Sequence, residues 1–298
     1  MKICKDFYDG DYDLAICGLG YESRSTWVAS NVDLGKARLA IGYRHHTDVF
    51  SYQENKKFYS ENNFNVSELT DEELEEFLSI NCNNFNKKIN VVIDITVMSR
   101  HRLAIVIWHF LSVLDKGSTI TITYCLSKYL EPPSITPPVK EIGCIINNLS
   151  GIPSDIGTPT ALIIFLGYEQ NKALGAANYI DPQNVYAFIP KSQETEFETK
   201  VIDQNRDLLI DLNKNIFFYN VHQPYVTYLD LKSLVLDVLT TQKPILLPLG
   251  PKIVAALAVF LGKDIYPHLP VWRVSSNGCE EPIDRVSSGH RITFTVEL

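Results

Sequence analysis

The chain has 298 residues, 45% of them hydrophobic, enough to bury a sizeable core in one large or two medium domains. Its net charge of -8 and pI near 5.4 exclude a surface that broadly tracks a nucleic-acid backbone, while leaving room for a local basic pocket. The six cysteines form no CxxC pair and several lie in apolar runs, which reads as reduced thiols in a cytoplasmic protein. The N-terminus lacks the apolar core of a signal peptide, and no run reaches the roughly 18 to 20 apolar residues of a membrane span.

In chain order, DLAICGLG (13–20) predicts a buried strand closed by glycines, and YESRSTWVASNV (21–32) the first turns of a helix. ARLAIGY (37–43) predicts a second buried strand, ending in RHHTD, and SYQENKKFYSEN (51–62) a surface helix or loop. SELTDEELEEFLSINCN (67–83) places Leu69, Leu74, Phe77, Leu78 and Ile80 among acids as an amphipathic helix. INVVIDIT (89–96) is apolar on both faces, as a central parallel strand is. A buried helix with a glycine stop (99–117) and an alternating strand, STITITYCL (118–126), follow.

Prolines 132, 133, 137 and 138 oppose regular structure, so residues 129–159 are expected to connect two halves, 1–128 and 160–298. The second half repeats the order of the first. It runs through the strand, turn and helix of ALIIFLGYEQNKALGAANYI, the strand NVYAFIP, a polar helix, the strand NIFFYNV and an amphipathic helix. KPILLPLGPKIVAALAVFLG then gives strand, turn and buried helix, before the late strands LPVWRVSS and HRITFTVEL, the last read as an edge.

Leu-Gly-Tyr-Glu occurs at 19–22 and again at 166–169, each time directly after a predicted strand. The shared order around both copies predicts an α/β fold of two tandem Rossmann-like halves with mostly parallel sheets, arisen by internal duplication. In such sheets ligands bind beyond the carboxyl ends of the strands.

The strand-end turns therefore supply the candidate residues. Gly20 permits the turn, Tyr21 offers a stacking face, Ser23 and Arg24 offer phosphate contacts, and Glu22 offers a ribose contact or an acid/base group. The bland reading of the same turn makes Glu22 a helix-end charge, Arg24 a surface pair and Tyr21 a packing residue. Asp94, Thr96, Ser99 and Arg100 form a second loop, with Asp94 the other acid/base candidate and an N-cap as its bland reading. Arg44 or His46, just after strand two, offers a ligand contact where an adenosine ribose lies in a dinucleotide fold, and Glu169 and Lys252 occupy the matching turns of the second half. Neighbouring histidines 45 and 46 lack a completing ligand set, so no metal site is expected.

At VVIDITVMSRHRLA (91–104) the chain resembles the nucleotide-sensing CARF domains of CRISPR-associated proteins, on the matching residues Asp94, Thr96, Ser99 and Arg100. The glycines usual in that loop are absent here, and PLGPK (248–252) keeps glycine and lysine without the aspartate. Two fused CARF-like halves look like the SAVED arrangement of antiphage effectors. The resemblance implies an oligonucleotide ligand between the halves and a sensor role in a bacterial defence assembly, with a protein partner or oligomer. A nucleotide-cleaving or nucleotide-transferring enzyme and a ligand-free scaffold are the alternatives.

Overall fold

The computed structural model describes residues 1–6, 10–83, 85, 87–132, 138–152, 157–192, 195–212, 214–276 and 281–298; Pro133, Pro137 and Cys279 fall outside them. The chain divides into two compact units, Met1–Lys128 with Pro282–Leu298, and Tyr129–Glu281.

The first unit opens with β1 (Lys2–Ile3), β2 (Leu14–Leu19), α1 (Trp27–Asn31), β3 (Ala37–Tyr43), α2 (Tyr52–Glu61) and β4 (Asn65–Leu69). It continues with α3 (Asp71–Asn81), β5 (Asn90–Asp94), α4 (Arg100–Val113) and β6 (Thr119–Ser127). The second contains β7 (Glu141–Cys144), a short 3-10 turn, β8 (Thr160–Phe165), α5 (Lys172–Ile180), β9 (Asn184–Lys191), α6 (Thr195–Gln204) and α7 (Arg206–Ile210). It ends with β10 (Ile216–Asn220), α8 (Pro224–Val238), β11 (Lys243–Pro248), α9 (Lys252–Asp264) and β12 (Trp272–Ser275), after which β13 (Ser287–Glu297) belongs to the first unit.

The first sheet runs β4-β3-β2-β5-β6-β13-β1. Its five strands from β4 to β6 are parallel, and β13 and β1 pair antiparallel at the far side. From β2 the chain winds outward to β3 and β4, then returns to β5 on the other side of β2. Right-handed crossovers therefore put α1 and α2 on one face and α3 and α4 on the other, with the reversal of winding between β2 and β5. Ala15, Cys17 and Leu19 of β2 pack with Val28 of α1 and Tyr52 and Tyr59 of α2. The sequence of α3 explains its start, because Thr70 and Glu73 cap each other's backbone amides in a capping box.

The second unit has a four-stranded parallel sheet, β10-β9-β8-β11, and a separate antiparallel ribbon of β7 and β12. Its strand order matches β4-β3-β2-β5, and the register of β8 on β9 matches that of β2 on β3. Leu14 faces Ala37 across β2 and β3, and Ala161 faces Asn184 across β8 and β9, both residues 147 positions on.

Four expectations change. HRITFTVEL is not an edge of the second unit but lies between β6 and β1, because alternation marks a strand without specifying its sheet. The 129–159 segment is part of the second unit, where β7 pairs with β12. Residues 65–69, partly assigned to the amphipathic helix, are the polar edge strand β4, and the helix starts at Asp71. The polar helix of the second half breaks at Asn205 into α6 and α7. Among the described residues no helix is long and apolar enough to cross a membrane.

Candidate functional site

The turn after β2 is held by its own side chains. Ser25 Oγ accepts from the Gly20 amide at 3.2 Å and donates to the Gly18 carbonyl at 3.2 Å, while Tyr59 donates to the Ser25 carbonyl at 2.7 Å. Asn55 of α2 donates to the carbonyls of Gly20 and Glu22, both at 2.9 Å. Gly18 and Gly20 do not have positive φ. They are needed for close approach, since a β-carbon on either would lie 3.0 Å from the Val97 side chain of the loop after β5. The two turns at the reversal of winding thus press against each other.

Glu22 and Arg24 lie inside this contact. Arg24 is 2% exposed and Glu22 5%, and Arg24 Nε donates to Glu22 Oε2 at 2.7 Å. Arg24 Nη1 donates to the Cys125 carbonyl at 2.6 Å, and its guanidinium lies 5.6 Å from the Tyr124 ring centre. Burial opposes the Arg24 charge, but Tyr124 and Glu22 outweigh it and raise its pKa above the ordinary value. Arg24 is therefore a buried tie rather than a phosphate contact. Glu22, engaged by Arg24 and with Arg285 Nη1 3.7 Å from its Oε1, is not an open acid/base group or ribose contact.

Asp94 is equally enclosed, at 1% exposure. Its Oδ1 accepts from the amide and hydroxyl of Thr96, and Thr96 Oγ1 in turn accepts from the Cys125 amide at 3.0 Å. Asp94, Thr96, Cys125, Arg24 and Glu22 are thereby joined in one buried hydrogen-bonded chain across the ends of β5, β6 and β2. The two candidate carboxylates share a network, but one turned inward. Burial pushes the Cys125 thiol up, and Glu22, Arg24 and Asp94 all act on it electrostatically.

Ser99 caps α4, accepting from the Arg102 amide at 3.0 Å, while its own amide donates to Tyr43 Oη at 2.9 Å. Arg100 is half-buried in the first turn of α4. Arg44 points away toward α3, with Nη1 2.8 Å from Glu73 Oε1 and Nε donating to the Glu68 carbonyl.

A row of rings also lies at the strand ends. Tyr21 lies 6.0 Å from both His46 and Phe50, His46 lies 5.0 Å from His45, and His45 lies 4.9 Å from Tyr43, all between ring centres. Phe50 is 56% exposed, and this row flanks the turn that carries the exposed Ser23. The Ser23 amide donates to Asp284 Oδ1 at 2.7 Å. Sequence reasoning singled out Tyr21, Ser23 and His46 but missed Tyr43, His45, Phe50 and Asp284. The density of rings in YRHHTDVF (43–50) was the available signal for the first three.

In the second unit the matching turn is built alike. Asn205 donates to the Gly167 carbonyl at 2.8 Å, as Asn55 does to that of Gly20, and Glu169 pairs with the buried Lys172 at 2.9 Å. Tyr168 lies 5.9 Å from Phe197. Lys252 is half-buried at the start of α9. Among the described residues no group of three or more His, Cys, Asp or Glu side chains is placed to hold a metal ion.

No protein-family model and no curated protein matches the chain. Among solved structures it is similar to Haemonchus contortus phosphoethanolamine N-methyltransferase 1 in complex with phosphoethanolamine and S-adenosylhomocysteine. The two are 8% identical, over 80% of this chain and 69% of that one, with a TM-score of 0.25.

Two histidines of the first unit are expected to make its stability depend on pH. Burial lowers the pKa of His109, whose Nε2–H donates to the Cys82 carbonyl, and burial and the neighbouring His46 lower that of His45. A depressed histidine favours the neutral folded form, so its contribution is complete above the unfolded value of about 6.5 and declines as pH falls through the folded value. The urea midpoint of the first unit is expected to drop between pH 7.5 and 5.5, with a smaller drop in His109→Phe. Equal slopes in both proteins would show that His109 is not the sensor.

Proposed function

We propose that the first unit binds a nucleotide or related phosphorylated ligand at its strand-end face, with a planar ring on the aromatic row and an anionic group at the turn after β2. The observation that carries this reading is the juxtaposition of the ring row of half-buried Tyr21 and His46 and exposed Phe50 with the Ser23 amide, which already holds a carboxylate. It lies where the winding of an open α/β sheet reverses, the position such sheets use for ligands.

We further infer that the two units are copies of one ancestral unit. The matched β2–β3 and β8–β9 registers and the Asn55 and Asn205 contacts to equivalent glycines support this better than the four shared letters alone. In this reading the chain is a sensor subunit, the role its CARF-like resemblance implies, within a bacterial defence assembly. The enzyme alternative loses its named acid/base groups, because Glu22 and Asp94 are enclosed and engaged.

Stacking of a base on an aromatic side chain contributes about 1–3 kcal/mol. Replacing Tyr21 and Phe50 together by alanine is therefore expected to weaken a bound nucleotide at least tenfold, and Phe50→Ala alone, at the exposed ring, to weaken it while changing stability by less than about 1 kcal/mol. The test is a thermal-shift screen of mono-, di- and cyclic oligonucleotides followed by titration of any that bind. A purified chain that binds none of them ends the reading; mass-spectrometric turnover of a bound nucleotide replaces sensing with catalysis.

A further inference from the structure

The chain returns to the first unit at Pro282, and before β13 begins it crosses the turn after β2 as a strap without regular structure. The strap is pinned at two points. Asp284 Oδ1 accepts from the Ser23 amide at 2.7 Å, and the Val286 carbonyl accepts from the Lys128 amide at 3.0 Å. Arg285, between them, lies 3.7 Å from Glu22.

A carboxylate at 2.7 Å from a backbone amide is a short, charge-assisted bond of the kind an anionic ligand makes. Several neighbouring polar groups of this turn are committed internally: the Gly20 amide to Ser25, the Ser25 amide to the Glu22 carbonyl, and the carbonyls of Gly20 and Glu22 to Asn55. Ser23 is exposed, and its amide is met instead by a side chain 261 residues away in sequence.

Resting on the ligand reading above, we infer that Asp284 is a built-in competitor for the ligand's anionic group. Its carboxylate occupies the amide that a phosphate oxygen takes, and binding requires the strap to release it. Because Asp284 is tethered, it acts at an effective concentration in the millimolar range or above, which suppresses simple anions. A ligand that adds a stacked ring on Tyr21 and Phe50 gains the surplus needed to displace it. The device thus selects a two-point ligand, an anion joined to a planar ring, over free phosphate or pyrophosphate.

The experiment titrates inorganic pyrophosphate into the full chain and its Asp284→Ala and Asp284→Asn variants, following the Ser23 amide by heteronuclear NMR. Asp284→Ala is expected to bind pyrophosphate at least tenfold more tightly than the parent, with the Ser23 amide among the resonances that move. Asp284→Asn, which keeps an acceptor oxygen but no charge, is expected to fall between them, a result that a loosened strap alone would not give. Equal affinity in all three proteins, or no pyrophosphate binding by Asp284→Ala, overturns the competitor role. The nucleotide screen on the parent chain separates the two ideas: nucleotide binding there, together with either of those results, removes the strap's role and leaves the ligand reading standing.

Discussion

Arg102→Leu is expected to destabilise the first unit by about 2–4 kcal/mol, since stranding a buried hydrogen-bond partner costs about 1–3 kcal/mol and Arg102 serves two backbone carbonyls besides the partly exposed Asp71. The guanidinium is fully buried. It donates to the Gly42 carbonyl at 2.8 Å, the Leu69 carbonyl at 2.8 Å and Asp71 Oδ1 at 3.0 Å, and lies 3.5 Å from the Tyr43 ring centre. One side chain of α4 thereby closes the ends of β3 and β4 and the start of α3. Leucine fills part of the volume but strands two carbonyls and a carboxylate. Arg102→Lys is expected to recover less than half of the loss, because a single ammonium cannot reproduce a planar fork that reaches three acceptors and stacks on a ring. Urea denaturation monitored by circular dichroism measures both, and a cost below about 1 kcal/mol for Arg102→Leu would contradict this account.

Arg24→Met is expected to cost about 3–5 kcal/mol, because it removes the buried partner of the buried Glu22 carboxylate, leaving only Arg285 at 3.7 Å, and takes a donor from the Cys125 carbonyl. Adding Glu22→Gln to Arg24→Met removes the buried carboxylate charge that has lost its 2.7 Å partner, so the double variant is expected to regain part of the loss, a coupling that a double-mutant cycle reads directly. A phosphate contact would behave in the opposite way, with unchanged stability, weaker ligand binding and no coupling to Glu22. Finding that pattern would return Arg24 to the ligand site.

The contrast shows what the sequence carries and what it hides. Apolar runs such as 14–19, 37–43 and 90–94 announce buried parallel strands because both faces of such strands are covered. Glycine turns after them announce where the strand ends meet the helices. The fate of a charged residue in those turns depends on partners far along the chain. Arg24 is enclosed by Tyr124 and Cys125, and Arg102 by Gly42 and Leu69, pairings that no local spacing reveals. Formal charge near a helix start therefore suggested solvent or ligand where the fold uses it as internal bracing. The polar strand β4 was hidden for a related reason: at a sheet edge, five residues with little apolar content gain their conformation from pairing with β3.

The return of β13 to the first sheet also sets a timetable for the nascent chain. Residues 129–281 are made between the two parts of the first unit, so the second unit can finish folding while β6 still lacks its neighbour. Until residues 287–297 emerge, the apolar strand from Ile120 to Cys125 presents an unpaired edge, the exposure that invites pairing with another chain. A protein shortened at residue 281 keeps that edge permanently and loses both β13 and the partner of β1. Residues 287–297 are thus a closing seam, and chains broken within them are expected to aggregate.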